Sequence, residues 1–265
     1  MENILDTIVA VKKKEVEEKK FLFDLNWFKF FSIDFDRKCY SLRESLLKKE
    51  STGIIAEFKR KSPSKGWFKD ENYSAPSVII EYKIFGAAGV SVLSDTDFFG
   101  GDLPDITVCR TVPDIPILQK DFIIDEIQVM EAKAYGADVI LLIAAILTPE
   151  RVIQLTTEAK KYGLEVLLEI HEEKELGHIC DEVDMVGINN RNLKTFQVDI
   201  GHSIRLSKQL PADKIKIAES GIDDVEMIRI LKEEGFNGFL VGEKFMKADH
   251  PGRAFDEFVQ QLKQV

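Results

Sequence analysis

Short apolar segments recur eight times along the chain, and each spans only five to seven residues. They are rich in Val, Ile and Leu and nearly continuous in apolar character, which is typical of parallel strands covered on both faces. A short buried helix gives a similar signal, so the pattern alone leaves that alternative open. The segments are residues 53–59, 89–94, 116–121, 138–143, 164–170, 185–190, 215–220 and 238–242.

Segments with helical periodicity lie between most of these candidate strands. Gly136, Gly163 and Gly235 follow three of them, at the position where a helix C-cap requires a positive φ. Eight alternating units predict an α/β fold, a closed (β/α)8 TIM barrel, because open doubly wound sheets more often have five or six strands and a glycine-rich first turn. The clearest helical segments are residues 125–135, 149–162, 223–234 and 251–264.

The residues before the first strand predict helices over 4–19, 26–31 and 41–49. No linker rich in Pro, Gly or Ser follows them, so we expect a helical extension packed on the barrel. The predicted organisation is one TIM-barrel domain over 1–265, with an extension over 1–48 and a barrel over 50–265. Because the chain ends soon after the last candidate strand, we expect no fused second barrel.

Composition narrows the classes of partner. Of the 265 residues, 45% are hydrophobic and 31% are charged, the balance of a folded protein, and the net charge of −10 disfavours nucleic acid. Cys39, Cys109 and Cys180 form no CxxC pair, which fits a reducing compartment. Neither a signal peptide nor a run of about 20 apolar residues occurs. We therefore expect a cytoplasmic protein without a membrane partner.

Polar residues cluster at the ends of the candidate strands, where TIM barrels carry their catalytic side chains. Taken singly, each is more often a solvated loop group, but the whole set is harder to explain in that way. Glu57 and Lys59 point to the same side of their strand, and a carboxylate inside a strand needs a partner such as Lys59. The set comprises Glu57, Lys59, Lys120, Asp121, Glu169, Asn189, Asn190, Arg191 and Glu219.

The last two strands predict an anion site. Ser220-Gly221 and Gly242-Glu243 each precede a helical segment, and barrels commonly bind phosphate there through backbone N–H groups. Two ordinary glycine turns are the alternative. The Glu243 carboxylate would repel a phosphate, so only its backbone N–H is expected to bind.

The segment over 59–77 predicts a long loop after the first strand, with five Lys or Arg residues among its first eleven positions. It is either a solvated basic loop or a lid that carries positive charge over an anion and excludes water.

The motifs for other chemistries are missing. His171, Glu172 and His178 do not match HExxH, and no GxSxG elbow, Cys/His pairing or nucleotide-binding glycine motif occurs. We expect no metal and no cofactor, which leaves acid/base chemistry by lysine and carboxylates.

Seven motifs together resemble indole-3-glycerol phosphate synthase, and the similarity runs from the helical extension to the last strand. They are AEFKRKSPSKG (56–66), SVLSDTDFFGG (91–101), PILQKDFIIDEIQ (116–128), LLEIH (167–171), GINNRNL (187–193), AESGI (218–222) and FLVGEKFM (239–246). The resemblance implies ring closure, decarboxylation and dehydration of 1-(2-carboxyphenylamino)-1-deoxyribulose 5-phosphate to indole-3-glycerol phosphate in tryptophan biosynthesis.

The resemblance also implies the catalytic roles. Lys120 would be the general acid and Glu169 its acid/base partner, while Lys59 would bind the substrate carboxylate and assist acid catalysis. Glu57 would orient the lysines, and Asn189 would hold the region of the reacting hydroxyl. From the residue types, we expect Lys59 to lower the pKa of Lys120, since a desolvated lysine near another cation loses its proton more readily.

Binding roles follow from the same resemblance. Ser62 and Arg191 would contact the carboxylate side of the substrate, and Phe99 and Glu219 would complete the pocket. The phosphate would be bound by Lys59, Ser220, Gly221, Gly242 and Glu243. Other family members carry serine at the position of Glu243, a departure that puts a side-chain contact there in doubt but not a backbone contact.

Two other functions fit parts of the pattern. A phosphoribosyl-anthranilate isomerase or another phosphate-binding barrel would share the anion site, but such an isomerase needs a Cys and an Asp at strand ends, and no cysteine here follows a strand. A barrel that only binds a phosphorylated ligand is the second alternative. Composition does not decide the oligomeric state, and we predict a monomer.

Overall fold

Eight parallel strands form a closed barrel in a computed structural model that describes residues 4–32, 35–191 and 198–264. Each strand pairs with the next along the chain, and the eighth pairs with the first. The predicted TIM barrel is confirmed, and each strand falls within its predicted segment. The strands are β1 Ile54–Phe58, β2 Gly89–Leu93, β3 Ile117–Lys120, β4 Val139–Ile143, β5 Glu165–Ile170, β6 Met185–Asn189, β7 Ile215–Glu219 and β8 Gly238–Val241.

Helices surround the barrel and form the extension before it. All three predicted N-terminal helices are present, and Gly136, Gly163 and Gly235 adopt the positive φ expected of helix ends. The helices are α1 Ile4–Leu22, α2 Leu25–Phe31, α3 Leu42–Leu47, α4 Ala75–Ile84, α5 Thr96–Phe99, α6 Leu103–Cys109, α7 Glu126–Tyr135, α8 Pro149–Lys161, α9 Ile200–Ser207, α10 Val225–Glu233, α11 Glu243–Met246 and α12 Pro251–Leu262, with 3-10 turns at Ala144–Ile146 and Glu173–His178.

Alternation along the strands separates two apolar layers. On β1, Ile54, Ala56 and Phe58 pack in the layer beneath the helices, while Ile55 packs in the barrel interior. Glu57 shares the inward side with Ile55 and lines a cavity. The alternation therefore directs a carboxylate into the barrel.

Helix α3 closes the N-terminal end of the barrel. Glu165, the first residue of β5, accepts hydrogen bonds from the backbone N–H groups of Leu42 at 2.8 Å and Arg43 at 3.0 Å. Leu46 packs beside Gly238, where an added Cβ would lie 3.3 Å from it. This end is sealed, so the open end is the C-terminal one.

Helix α1 lies over the C-terminal end. Leu5 and Ile8 join the apolar cluster of the barrel interior, and with Ile4 they form part of the wall of the cavity. The extension therefore completes the wall of this cavity.

Of the GINNRNL motif, positions 192 and 193 lie outside the described residues. Among the helices of the described residues, none combines the length and the hydrophobicity of a membrane span.

The predicted basic loop after β1 is more ordered than expected, and most of its charge points elsewhere. It contains a short hairpin between Lys61–Ser62 and Gly66–Trp67, and α4 begins at Ala75, within the predicted loop. Arg60 is buried and pairs with Asp105 at 2.5 Å. Only two of the loop's five cations, Lys59 and Lys65, line the cavity.

Candidate active site

A cavity of about 760 Å³ opens among the C-terminal ends of the strands. Its walls contain every residue to which the resemblance assigned a role. These residues are Glu57, Lys59, Ser62, Phe99, Lys120, Glu169, Asn189, Arg191, Glu219, Ser220, Gly221, Gly242 and Glu243.

Lys120 is the centre of the polar network in this cavity. Its Nζ lies 3.0 Å from Glu169 Oε2 and 3.0 Å from Glu219 Oε2. The three side chains come from β3, β5 and β7, and alternate strands of a TIM barrel contribute side chains to the same interior layer. Glu57 on β1 belongs to the same alternate set. The network thus follows from barrel geometry, although its members are distant in the chain.

The carboxylates reverse the pKa shift that we expected for Lys120. Burial favours the neutral amine, but the charges of Glu169, Glu219 and Glu57 outweigh it and raise the pKa of Lys120 above its ordinary value. Lys59 instead pairs with Glu57 at 2.5 Å. The expectation of a lowered pKa was therefore wrong, because the sequence did not reveal how many anions surround the ammonium.

The two carboxylates beside Lys120 differ in their affinity for protons. Burial, followed by repulsion from Glu169 and Glu57, raises the pKa of Glu219 to about 7 despite the opposing charge of Lys120. Burial also acts on Glu169, but Lys120 and a hydrogen bond from Asn189 outweigh it and lower the pKa of Glu169. Glu169 is therefore the anionic partner, and Glu219 readily takes up a proton near neutral pH.

Asn189 at the end of β6 orients the anionic partner. Its Nδ2 donates to Glu169 Oε1 at 2.9 Å, and its Oδ1 accepts from the backbone N–H of Arg191 at 3.0 Å. Both polar ends of the amide are thus used, which fixes its rotamer and the carboxylate beyond it.

Two glycines make room for this network. A Cβ on Gly187 would collide with the carboxylate of Glu219, and one on Gly242 would collide with that of Glu57. Any side chain at either position would push a carboxylate out of place.

The loops after β7 and β8 line one end of the cavity. Ser220 and Gly221 are consecutive residues with φ of 68° and 70°, and such strain at a non-glycine residue is characteristic of functional turns. Gly242 directly precedes α11.

Glu243 differs from the other residues at this end because its carboxylate already binds cations. It lies 2.7 Å from Lys65, 2.6 Å from Lys247 and 3.5 Å from Arg191. Burial acts against the charged form, but the bonds from Lys247 and Lys65 lower the pKa of Glu243 to about 2. The carboxylate is therefore ionised across the working pH range.

Several residues of the cavity were missed in the sequence analysis. Lys65 and Lys247 line it, as do Ile4, Leu5 and Ile8 of α1. Lys65 lies in the basic loop and Lys247 follows Glu243 by one helical turn. Their positions in the sequence therefore gave a weak indication that both lie near the site. The three apolar residues looked like ordinary core positions.

Comparison with known proteins identifies the family. Residues 5–258 match the family described as indole-3-glycerol phosphate synthase. The chain belongs to this family. The resemblance of the seven motifs is thereby confirmed, and with it the predicted function at the level of the family, whereas the roles of individual residues stay predictions.

Members of the indole-3-glycerol phosphate synthase family match the chain over most of its length. The chain is 46% identical to the synthase of Bacteroides thetaiotaomicron over 264 residues, which covers 99% of this chain and 100% of that protein. It is 38% identical to the synthase of Salinibacter ruber, with 99% and 97% of the two chains covered.

Solved structures at lower identity share the fold. A variant of the tryptophan synthase alpha-subunit from Pyrococcus furiosus superposes with a TM-score of 0.62 at 15% identity, covering 80% of this chain and 98% of that one. A 3-hexulose-6-phosphate synthase from Salmonella typhimurium gives 0.63 at 13% identity, covering 80% and 99%. At these identities the likeness concerns the barrel alone.

Proposed function

We propose that this chain closes and decarboxylates 1-(2-carboxyphenylamino)-1-deoxyribulose 5-phosphate to indole-3-glycerol phosphate, with Lys120 as the general acid. One observation carries the assignment of the acid: the Lys120 ammonium lies in the cavity at 3.0 Å from each of two buried carboxylates. A cation held in this way is protonated in the resting enzyme and is preorganised for an oxygen that becomes negative.

Ring closure is the step that needs this acid. The aromatic carbon that bears the carboxylate attacks the ketone carbon, a carbon–carbon bond forms, and the ketone oxygen accepts a proton from Lys120 to become a hydroxyl. The high pKa of Lys120 suits this step, because the developing alkoxide is a far stronger base than the ketone.

Two steps complete the reaction. The carboxylate leaves as carbon dioxide, and its bonding electrons restore the aromatic ring. The hydroxyl then takes a proton and leaves as water, while a base removes a proton from the neighbouring ring carbon to form the indole double bond. Glu219 can donate a proton near neutral pH, and the anionic Glu169 can act as the base. The overall reaction consumes one proton.

The rest of the cavity suits the other parts of this substrate. The Oγ of Ser62 is buried and makes no hydrogen bond within the described ranges, so it is available to the substrate carboxylate together with Lys59 and Arg191. The apolar wall formed by α1, together with Phe99, suits the aromatic ring.

We assign the phosphate to the end of the cavity that the loops after β7 and β8 line. Backbone N–H groups of Ser220, Gly221, Gly242 and Glu243 would bind it at the starts of the following helical segments, with Lys59 as the assigned side-chain partner. Lys65 and Lys247 add positive charge at that end. A monomeric, cytoplasmic enzyme is part of the same proposal.

The test is turnover monitored by indole fluorescence in EDTA, comparing wild type with Lys120→Ala and Glu169→Gln. We expect Lys120→Ala to lower kcat by about 10²–10⁴-fold while the substrate still binds, since general acids contribute rates of this order. Lys160→Ala is the matched control, because Lys160 pairs with Asp184 and is not among the residues that line the cavity.

Each outcome decides between the candidate functions. Product from wild type and from Lys160→Ala, with almost none from Lys120→Ala, supports both the reaction and the acid. A folded wild type that binds the substrate without turnover would favour a barrel that only binds a phosphorylated ligand. Full activity of Lys120→Ala would remove Lys120 from the mechanism.

A further inference from the structure

A buried cation on the N-terminal extension lies outside the proposed chemistry. Lys12 of α1 is only 4% exposed. Its Nζ lies 3.0 Å from Asp95 Oδ2, 3.1 Å from Asp121 Oδ1 and 2.9 Å from Glu15 Oε2. Asp95 and Asp121 are themselves 0% and 6% exposed. Lys12 thus balances two buried carboxylates that solvent cannot stabilise.

One of these carboxylates, that of Asp121, is next in sequence to the proposed acid. Asp121 directly follows Lys120 at the end of β3. Its carboxylate also accepts hydrogen bonds from Ser94 Oγ at 2.5 Å and from the backbone N–H of Phe122 at 2.7 Å. The peptide segment that carries Lys120 is therefore held by contacts on Asp121, and Lys12 provides the only positive charge among the contacts described for that side chain.

The other carboxylate, that of Asp95, organises the loop after β2. Asp95 caps α5 by accepting hydrogen bonds from the backbone N–H groups of Phe98 at 2.8 Å and Phe99 at 3.2 Å. Phe99 reaches the cavity, where its ring lies 5.9 Å from that of Phe122. Lys12 thus joins two βα loops that each place a residue in the site.

We propose that Lys12 is a positioning residue for the reaction: by bridging Asp95 and Asp121 it fixes Lys120 and Phe99 in place, so that the extension takes part in catalysis. The inference rests on the role of Lys120 proposed above. It goes further because it assigns a catalytic consequence to a residue that contacts no reacting group.

The charge state of Lys12 agrees with this geometry. Burial favours the neutral amine, but Asp121 and Asp95 outweigh it and raise the pKa of Lys12 above its ordinary value. Lys12 therefore remains charged throughout the pH range in which the enzyme works. Displacements of about 1 Å in a catalytic group can cost on the order of 10²-fold in rate, so a modest shift of the 120–121 segment would be measurable.

A second lysine on the same helix allows a role of Lys12 in positioning the site to be distinguished from a role in docking α1 on the barrel. Lys19 of α1 pairs with the buried Glu131 of α7 at 2.6 Å, so it also attaches the extension to the barrel. Neither Lys19 nor Glu131 lines the main cavity. If Lys12 served only to dock α1, loss of either lysine would affect turnover in the same way.

The experiment compares Lys12→Met, Lys19→Met and wild type in full-length protein, measuring Tm, kcat and KM for the carboxyphenylamino-deoxyribulose phosphate. We expect both variants to lose thermal stability. Lys12→Met should lower kcat by about 10- to 100-fold with a smaller change in KM, whereas Lys19→Met should keep kcat within about twofold of wild type. Lys12→Arg, which retains the charge, should recover most of the lost kcat.

The possible outcomes distinguish this inference from the proposed function. Wild-type kcat in a folded Lys12→Met, or equal losses of kcat in Lys12→Met and Lys19→Met, would overturn the positioning role while Lys120 remained the acid. If Lys12→Met does not fold, Lys12→Gln, which can still donate a hydrogen bond to an aspartate, is put through the same comparison. Absence of turnover in wild type would instead reject the proposed function.

Discussion

Lys120 and Glu219 form an ion pair of 3.0 Å across the interior of the barrel, although 99 positions separate them in the chain. They come from β3 and β7, which do not pair with each other. Glu219 is buried beside two further carboxylates that disfavour its ionisation, and this arrangement makes its titration measurable.

Glu219→Gln is expected to change how stability depends on pH. The folded-state pKa of Glu219 is about 7, above its ordinary value of 4.5, so its stabilising contribution is present in full below pH 4.5 and is lost as the pH rises through 7. Gln resembles the neutral acid at every pH. The free energy of unfolding of the variant, relative to wild type, should therefore rise between pH 5 and pH 8 by on the order of 2 kcal/mol.

Urea unfolding at several pH values measures this difference. Glu257→Gln serves as the control because Glu257 is exposed. A difference between Glu219→Gln and wild type that stays constant from pH 5 to pH 8 would contradict the assignment of the raised pKa to Glu219.

Glu243→Ser is expected to strengthen substrate binding. The Glu243 carboxylate pairs with Lys65, Lys247 and Arg191, which a substrate phosphate could otherwise contact. Serine at this position removes the negative charge and retains the backbone N–H. We expect KM to fall by about threefold to tenfold, because exposed ion pairs are worth up to roughly 1 kcal/mol each, and kcat to change little.

The effect of Glu243→Ser should be larger at low ionic strength, since screening weakens charge interactions at a partly exposed site. Steady-state kinetics at two salt concentrations, with inorganic phosphate as a competing anion, provide the measurement. A rise in KM would show instead that the carboxylate is needed to hold the three cations in place.

Ser62→Ala is expected to weaken binding without weakening the fold. In the described part of the chain, the buried Oγ of Ser62 has no hydrogen-bond partner, so its removal leaves no protein group unsatisfied. A hydrogen bond from this hydroxyl to a charged substrate group would contribute about 1.5–3 kcal/mol, which corresponds to a rise in KM of roughly 10- to 100-fold. Ser77→Ala, on the outer helix α4, is the control. An unchanged KM would exclude contact between Ser62 and the substrate.

Asp138→Ala is expected to destabilise the fold without affecting chemistry. Asp138 is fully buried just before β4, and it accepts bonds from Arg37 at 2.7 Å and Arg110 at 2.6 Å. Its loss leaves two guanidinium groups without their carboxylate, which should cost about 3–5 kcal/mol of unfolding free energy.

Thermal and urea unfolding measure the cost of Asp138→Ala, and kcat is measured at a temperature where the variant is folded. Asp213→Ala is the control because Asp213 is exposed, and its 3.6 Å pair with Lys214 should contribute at most about 1 kcal/mol. A large loss of kcat in folded Asp138→Ala would show that the N-terminal end of the barrel is coupled to the site.

Much of the fold could be predicted from the sequence because its signals are local. Apolar runs located all eight strands, and Gly136, Gly163 and Gly235 marked helix ends because few other residues adopt positive φ without strain. Once the strands alternate with helices, their C-terminal ends meet at one end of a barrel. For that reason residues at strand ends, such as Lys120 and Glu169, could be assigned to one site before any contact was known.

The loop after β1 shows where such local reasoning stops. Its basic composition suggested positive charge over the ligand, yet Arg60 turns to the buried pair with Asp105, a residue 45 positions away. Composition records which charges are present in a segment. The direction of each side chain depends on partners brought near it by folding.

The sequence by itself determined the barrel, the order of its elements, many of the polar residues around the cavity and the family. Only the tertiary structure decided how those residues pair: three carboxylates around Lys120, three cations around Glu243, and Lys12 between Asp95 and Asp121. The physical reason is distance. Backbone preference and burial are encoded within a few neighbouring residues, whereas a pKa or an ion pair depends on charges a few ångströms apart in space, which the chain order does not specify.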